Sequence, residues 1–222
     1  MLFQDRTAAG KALARKLVAY ANRKDTLVLG LPRGGIPVAF EVAKALNAPL
    51  DAFLVRKLGV PGQEELAMGA IASGGVRVLN EDIVRSLRLS DAVIDNVIAK
   101  EQREIERREQ LYRQDRPLTV VSDRIVILVD DGLATGATMR AAVRAIEQQQ
   151  PSQIVVAVPV SSPEAYRELS TGVDEIICVE IPQPFNSVGL WYDNFPQTPD
   201  EEVCDLLQQA ATQLGNQVVS SQ

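Results

Sequence analysis

Apolar residues near the start of the chain gather in short runs separated by a stretch with helical spacing. Residues 26–31 form an apolar run that ends in a Pro-Arg-Gly-Gly turn, and residues 36–46 follow with apolar positions at helical periodicity. Residues 51–57 form a second run with strand character. A strand, a tight glycine turn, a helix and another strand in succession are typical of parallel α/β architecture. The pattern therefore predicts an α/β fold with a parallel sheet.

The same alternation returns in the second half of the chain. A run of aliphatic residues ends at Val129, which is typical of a buried parallel strand. The predicted elements there are a strand at 124–129, a helix at 139–149, strands at 154–160 and 175–181 with a short helix at 163–170 between them, and a last helix at 201–214. Earlier in the chain, residues 68–73 and 76–79 predict a β-hairpin because two glycines join them.

Residues 80–116 interrupt this alternation with one long helical pattern. Its second half is crowded with charges of both signs, including the pair Glu109 and Arg113 at helical spacing. A solvated helix is one interpretation, and a lid or a dimer contact is the other. We interpret the stretch as a helical insertion on a single domain that spans residues 1–222.

Composition excludes several classes of function. The 222 residues contain no histidine, which rules out Ser-His and Cys-His triads and HExxH zinc sites. The formal charge of −6 argues against a dedicated nucleic-acid binder, although the acidic excess lies within residues 161–222. The longest apolar run, 154–160, is far shorter than the roughly 20 residues of a membrane helix. We therefore expect a cytoplasmic protein with neither a nucleic-acid nor a membrane partner.

Residues 126–138 carry most of the chemical information. A hydrophobic strand is followed by the adjacent carboxylates Asp130 and Asp131 and then by Gly, Ala and Thr residues that open a helix. Small residues let backbone N–H groups close around an anion, and a helix N-terminus adds positive potential. Thr135 and Thr138 would add hydroxyl donors, which fits a ligand with both hydroxyls and a phosphate. A helix-capping arrangement or a metal site are the alternatives for the carboxylate pair.

This segment resembles the motif with which type I phosphoribosyltransferases bind 5-phosphoribosyl 1-diphosphate (PRPP). Gly132 is the one departure, because the family usually has an aliphatic residue there. The resemblance implies that Asp130 and Asp131 bind the 2- and 3-hydroxyls of the ribose. It also implies that the 5-phosphate is bound by a loop of five residues, namely Ala134, Thr135, Gly136, Ala137 and Thr138.

The resemblance extends to other parts of the chain. It implies a pyrophosphate loop at residues 31–35, where Gly34 and Gly35 bind the ligand and Arg33 is catalytic. Arg56 would contact pyrophosphate and Lys57 would be catalytic, with a mobile loop after them at residues 58–67. A hood at about 182–199, together with the C-terminal helix, would hold the base. Its aromatic residues either stack on the base or form a small core; they are Phe185, Trp191, Tyr192 and Phe195.

The resemblance, closest to a little-characterised bacterial branch of the family, implies a Mg²⁺-dependent transferase. A nitrogen nucleophile, as a nucleobase or similar small acceptor, would displace pyrophosphate from PRPP. Mg²⁺ would be held mostly by ligand oxygens and water, with no dedicated protein cage. Ala134 stands where the 6-oxopurine enzymes have an acid, and Glu64 and Glu65 are only loosely placed for proton transfer. A PRPP- or nucleotide-sensing protein is the alternative function, and a homodimer is a possible assembly.

Overall fold

The computed structural model describes residues 2–113 and 116–220, with the side chains of Glu65 and of residues 214–220 outside that description. Its central sheet contains parallel strands in the order β2-β1-β6-β7-β8. The bounds of these strands are β1 Thr26–Gly30, β2 Leu50–Ala52, β6 Ile125–Val129, β7 Gln153–Val160 and β8 Glu175–Glu180. The predicted α/β class with a parallel sheet is confirmed.

A second, antiparallel sheet lies beside the first and has the order β3-β4-β5. Its strands are β3 Val55–Val60, β4 Gln63–Ala72 and β5 Val76–Leu79. The hairpin of β4 and β5 confirms the sequence prediction. The single strand predicted at 51–57 is wrong, because the chain leaves the central sheet after Ala52. The adjacent residues Phe53 and Leu54 are both buried, but in two different core clusters, so the chain crosses between them.

The loop predicted at residues 58–67 is wrong as to its secondary structure. These residues pair as a β-hairpin whose turn is Pro61-Gly62, with Gly62 at a φ of 80°. Leu58, Val60 and Met68 are buried in the main core, which holds both arms of this hairpin against the rest of the protein. The segment has the composition of a loop because its glycines and proline interrupt the pattern of these apolar positions.

The helices pack on both faces of the central sheet and beyond it. They are α1 Arg6–Lys16, α2 Gly35–Leu46, α3 Glu81–Ser86, α4 Asp91–Arg113, α5 Ala137–Glu147, α6 Pro163–Leu169 and α7 Asp200–Ser220. The inner face of α4 is buried through Ile94, Ile98, Ile105 and Tyr112, so this helix is solvated only on its outer side. None of the described helices combines the length and hydrophobicity needed to cross a lipid bilayer.

Candidate functional site

Strands β1 and β6 are neighbours, and their carboxyl ends bring two loops together. The backbone N–H of Leu31 donates to the carbonyl of Val129 at 2.9 Å. A Cβ atom on Gly34 would lie 2.0 Å from Oδ2 of Asp131, and one on Gly35 would lie 2.8 Å from the carbonyl oxygen of Val129. Both positions therefore require glycine. The structure thus places the predicted pyrophosphate loop directly against the predicted ribose-binding carboxylates.

The two carboxylates occupy an environment that opposes their ionisation. Withdrawal from water raises the pKa of Asp130 well above its ordinary value, and the charge of Asp131 adds to this effect. Oδ1 of Asp130 accepts from the backbone N–H of Asp131 at 2.8 Å, which partly compensates. Burial also raises the pKa of Asp131, against the opposing charge of Arg6. A ligand whose hydroxyl groups donate hydrogen bonds to the two carboxylates would replace the water that these carboxylates lose on burial.

Arg6 is a member of this site that sequence reasoning missed. Its Nε donates to Oδ2 of Asp131 at 2.8 Å, and its Nη1 donates to the carbonyl of Pro196 at 2.7 Å. The guanidinium carbon lies 3.9 Å from the centroid of the Phe195 ring. Arg6 is the first residue of an ordinary amphipathic helix, and no local pattern signals a contact with a residue 125 positions away.

The predicted 5-phosphate loop lies at the start of α5. Gly136 precedes the helix with a φ of 69°, a backbone conformation that favours glycine. The loop is fixed from behind, because Oγ of Ser162 donates to the carbonyl of Ala134 and Nη1 of Arg140 donates to the carbonyl of Thr135, each at 2.7 Å. Four of its five residues, Ala134, Thr135, Ala137 and Thr138, are exposed on the other side. The start of α5 is therefore open to solvent, as an anion site requires, with the N–H of Ala137 donating to Oγ1 of Thr135 at 3.3 Å.

Arg33 extends from the pyrophosphate loop toward the start of α7. Its Nη1 lies 4.0 Å from Oδ1 of Asp200, and the side chain is 28% exposed. The hydroxyl of Tyr112 donates to the same carboxylate oxygen. Asp200 therefore connects the predicted catalytic arginine with the last turn of α4, a link that the sequence did not indicate.

Arg56 and Lys57 line a cleft of about 530 Å³ between the β3–β4 hairpin, α4 and the start of α5. Thr138 lines the same cleft. Arg56 is paired with Glu101 of α4, with Nε and Nη2 each 2.7 Å from Oε2. Lys57 is exposed. The helical insertion, which the sequence placed outside the common core, thus forms a wall of the candidate site.

The hood is packed onto the carboxylate loop. Tyr192 is buried, its hydroxyl donates to the backbone carbonyl of Asp131, and its ring contacts those of Phe3 and Phe195. Phe185 and Trp191 are half-buried. A Cβ atom on Gly132 would lie 2.6 Å from Cγ1 of Val188, so a hood residue fills the space where the family motif has an aliphatic side chain. Tyr192 therefore holds the hood in place, whereas Phe185 and Trp191 retain accessible surface.

Comparison with known proteins identifies the family. The family model described as "Phosphoribosyl transferase domain" matches residues 3–193. This chain belongs to the phosphoribosyl transferases. Proteins from two strains of Mycobacterium tuberculosis, each named "Putative phosphoribosyl transferase", are 47% identical to it over 209 residues, which are 94% of this chain and 47% of each relative. The chain thus spans about half the length of these curated relatives.

Solved structures agree with the fold of this phosphoribosyl transferase. The crystal structure of TT1426 from Thermus thermophilus is 41% identical in sequence and superposes with a TM-score of 0.85, covering 94% of this chain and 99% of that one. The AQ2163 protein from Aquifex aeolicus is 14% identical, with a TM-score of 0.51 and coverage of 83% and 78%, and its likeness concerns the fold alone. The resemblance inferred from residues 126–138 is therefore confirmed at the level of the family.

Proposed function

We propose that this phosphoribosyl transferase binds PRPP and transfers its ribose 5-phosphate to a small nitrogenous acceptor, with release of pyrophosphate. The observation that carries the proposal is the junction of two loops, which follow β1 and β6, at one sheet edge. The glycines at 34 and 35 lie against Asp130 and Asp131, and the loop 134–138 follows on the same strand end. Open α/β sheets bind ligands at such an edge.

Each part of PRPP has a chemically matched group in this arrangement. The ribose hydroxyls would donate to the carboxylates of Asp130 and Asp131. The 5-phosphate would accept from backbone N–H groups of the loop 134–138 and from the hydroxyls of Thr135 and Thr138. The pyrophosphate would lie against Arg33 and the backbone of Gly34 and Gly35. The ligand would therefore be held from both ends, with the bond to be broken between them.

Catalysis would then consist mainly of positioning and electrostatic stabilisation. Negative charge grows on the leaving pyrophosphate as its bond to the ribose breaks, and Arg33 and Lys57 would face that charge. Arg56, held by Glu101, would add to the positive potential of the cleft. The attacking nitrogen would approach from the side of the hood, where Phe185 and Trp191 offer partly exposed aromatic surface.

The donor set fits a cation bound chiefly through its substrate. Among the described residues, no three or more metal-ligating side chains of His, Cys, Asp or Glu lie together, and Asp131 is already paired with Arg6. Ligand oxygens and water would therefore provide most of the coordination of Mg²⁺. When bound, the cation supplies positive charge to the pyrophosphate. Glu64 is exposed at the hairpin turn and the side chain of Glu65 lies outside the described residues, so neither is assigned a proton-transfer role.

Pyrophosphate release from Mg²⁺ and PRPP in the presence of single nucleobases and base-like amines tests the proposal. We expect release with at least one acceptor, and a rate about 10²–10³ lower for Arg33→Ala. Arg167→Ala, which removes an exposed arginine of α6, is the matched control and should behave as the unmodified protein. PRPP binding without turnover for any acceptor would indicate a sensing protein. Failure to bind PRPP, with no effect of Asp131→Asn, would contradict the whole assignment.

A further inference from the structure

Arg6 makes three different contacts with one side chain, and this combination depends on its guanidinium. Nε reaches the carboxylate of Asp131, Nη1 reaches the carbonyl of Pro196, and the flat face of the group covers the ring of Phe195. The side chain is only 11% exposed. A planar fork of donors with a stacking face is specific to arginine, and a lysine could not make all three contacts.

The backbone around Arg6 is fixed to the hood by residues 3–6, which we call the N-terminal clasp. The N–H of Phe3 donates to the carbonyl of Trp191, and the N–H of Asp193 donates to that of Phe3, both at 2.8 Å. The N–H of Asn194 donates to the carbonyl of Gln4 at 2.9 Å. Asp5 then caps α1 through the N–H of Ala8 at 2.7 Å. Arg6 therefore projects from a backbone with little freedom to move.

We propose that Arg6 is a positioning residue, which fixes the Asp131 carboxylate for the hydroxyls of a phosphorylated ribose and joins that carboxylate to the hood. The inference rests on the proposed function, because it assigns a role to Asp131 in sugar binding. Arg6 uses one oxygen of the carboxylate, Oδ2, and no described side chain donates to Oδ1. The ligand would bind to the free lone pairs of a carboxylate whose orientation is already set.

Electrostatics support the same role. Asp130 and Asp131 are adjacent acids withdrawn from water, and each opposes the ionisation of its neighbour. Arg6 is the cation that lowers the pKa of both carboxyls against this effect. Without Arg6, Asp131 would lose the hydrogen bond that orients its carboxylate, and the hood would lose one of its contacts with the sugar-binding loop.

Two simple ligands separate this role from a purely structural one. Inorganic phosphate has no hydroxyls of a ribose to offer the carboxylates, whereas ribose 5-phosphate would use both the 134–138 loop and the carboxylates. Isothermal titration calorimetry gives both dissociation constants. The value for phosphate divided by the value for ribose 5-phosphate therefore reports how much the ribose contributes to binding. For Arg6→Ala we expect this ratio to fall about tenfold, the effect of one charge-assisted hydrogen bond, with phosphate affinity kept within about twofold.

Two further variants complete the experiment. Arg6→Lys should retain part of the preference for ribose 5-phosphate, because it keeps the charge but loses the fork and the stacking face. Arg15→Ala, which removes an exposed arginine of the same helix, should match the unmodified protein. Equal weakening for both ligands, an unchanged ratio, or tighter binding of ribose 5-phosphate by Arg6→Ala would overturn the inference. An unmodified protein with no preference for ribose 5-phosphate would instead contradict the proposed function.

Discussion

Asp130 shows that a residue suited to ligand binding can cost stability in the free protein. Its carboxyl is withdrawn from water. Within the described part of the chain, this carboxyl accepts one hydrogen bond, from the backbone N–H of Asp131. Its raised pKa means that the folded state holds the proton more tightly than the unfolded state does. Stability therefore falls as the pH rises from about 4, the unfolded pKa, through the folded pKa.

Asp130→Asn should consequently stabilise the protein while it abolishes PRPP binding. The amide oxygen can still accept from the N–H of Asp131, and no charge remains to be desolvated. We therefore expect Asp130→Asn to have a higher Tm than the unmodified protein at pH 8 and almost the same Tm at pH 4. Thermal unfolding at both pH values checks this. Asp95→Asn, at an exposed position of α4, is the control, and an equal gain at both pH values would contradict the explanation.

At the residue scale, local and distant contributions to the site differ in how far sequence can reveal them. Asp130, Asp131 and the loop 134–138 lie in one continuous motif, so their juxtaposition follows from chain connectivity. Arg6 joins them only through tertiary packing, and its helix has no unusual residue to mark it. Gly132 lies between these two cases. The sequence shows that it departs from the family motif, but only the structure shows the reason, which is that Val188 of the hood fills the space beside it.

At the element scale, the helical insertion is more closely integrated than its charge pattern indicated. The last turn of α4 is anchored by Arg113, whose Nη2 donates to the carbonyl of Ala52 at 2.8 Å and lies 3.5 Å from Oδ2 of Asp51. Both side chains are less than a tenth exposed. Most of the alternating charges of residues 101–113 lie on the outer face of α4. The isoleucines of its buried face are too widely spaced to dominate the hydrophobic pattern of the sequence.

Arg113→Ala should destabilise the protein by about 3–5 kcal/mol, because it leaves the Asp51 carboxylate buried without its cation. The double variant Asp51→Asn with Arg113→Met removes both charges and should lose much less. Urea unfolding followed by circular dichroism provides the free energies. Arg107→Ala, which removes an exposed arginine from the same helix, should leave the midpoint unchanged. If Arg113→Ala also leaves it unchanged, α4 is not anchored at this pair.

For the whole molecule, one large core joins elements that are distant in sequence. It contains residues of α1, α2, α4, the β3–β4 hairpin and α7, so both sheets share it. A smaller cluster under the hood contains Phe3, Ala9, Val160 and Tyr192. The periodicities predicted the helix at 36–46 and the strand at 124–129 in this core, because each has its own apolar residues, but not the β3–β4 hairpin. The small core of hood aromatics was one of the two sequence interpretations, but the part that Phe3 and Ala9 play in it was not predicted, since they lie near the other end of the chain.

The N-terminal clasp should therefore determine whether the hood unfolds with the rest of the protein. Trp191 is the single tryptophan of the chain and lies in the hood, so its fluorescence reports that segment while circular dichroism reports the helices. In the unmodified protein we expect the two urea transitions to coincide. Phe3→Ala removes a buried ring that packs on Tyr192, a change that costs about 3–5 kcal/mol in well-packed cores, and should move the fluorescence transition to lower urea. Leu2→Ala, at an exposed neighbouring position, should keep the transitions together, and coincident transitions in Phe3→Ala would show that the clasp does not hold the hood.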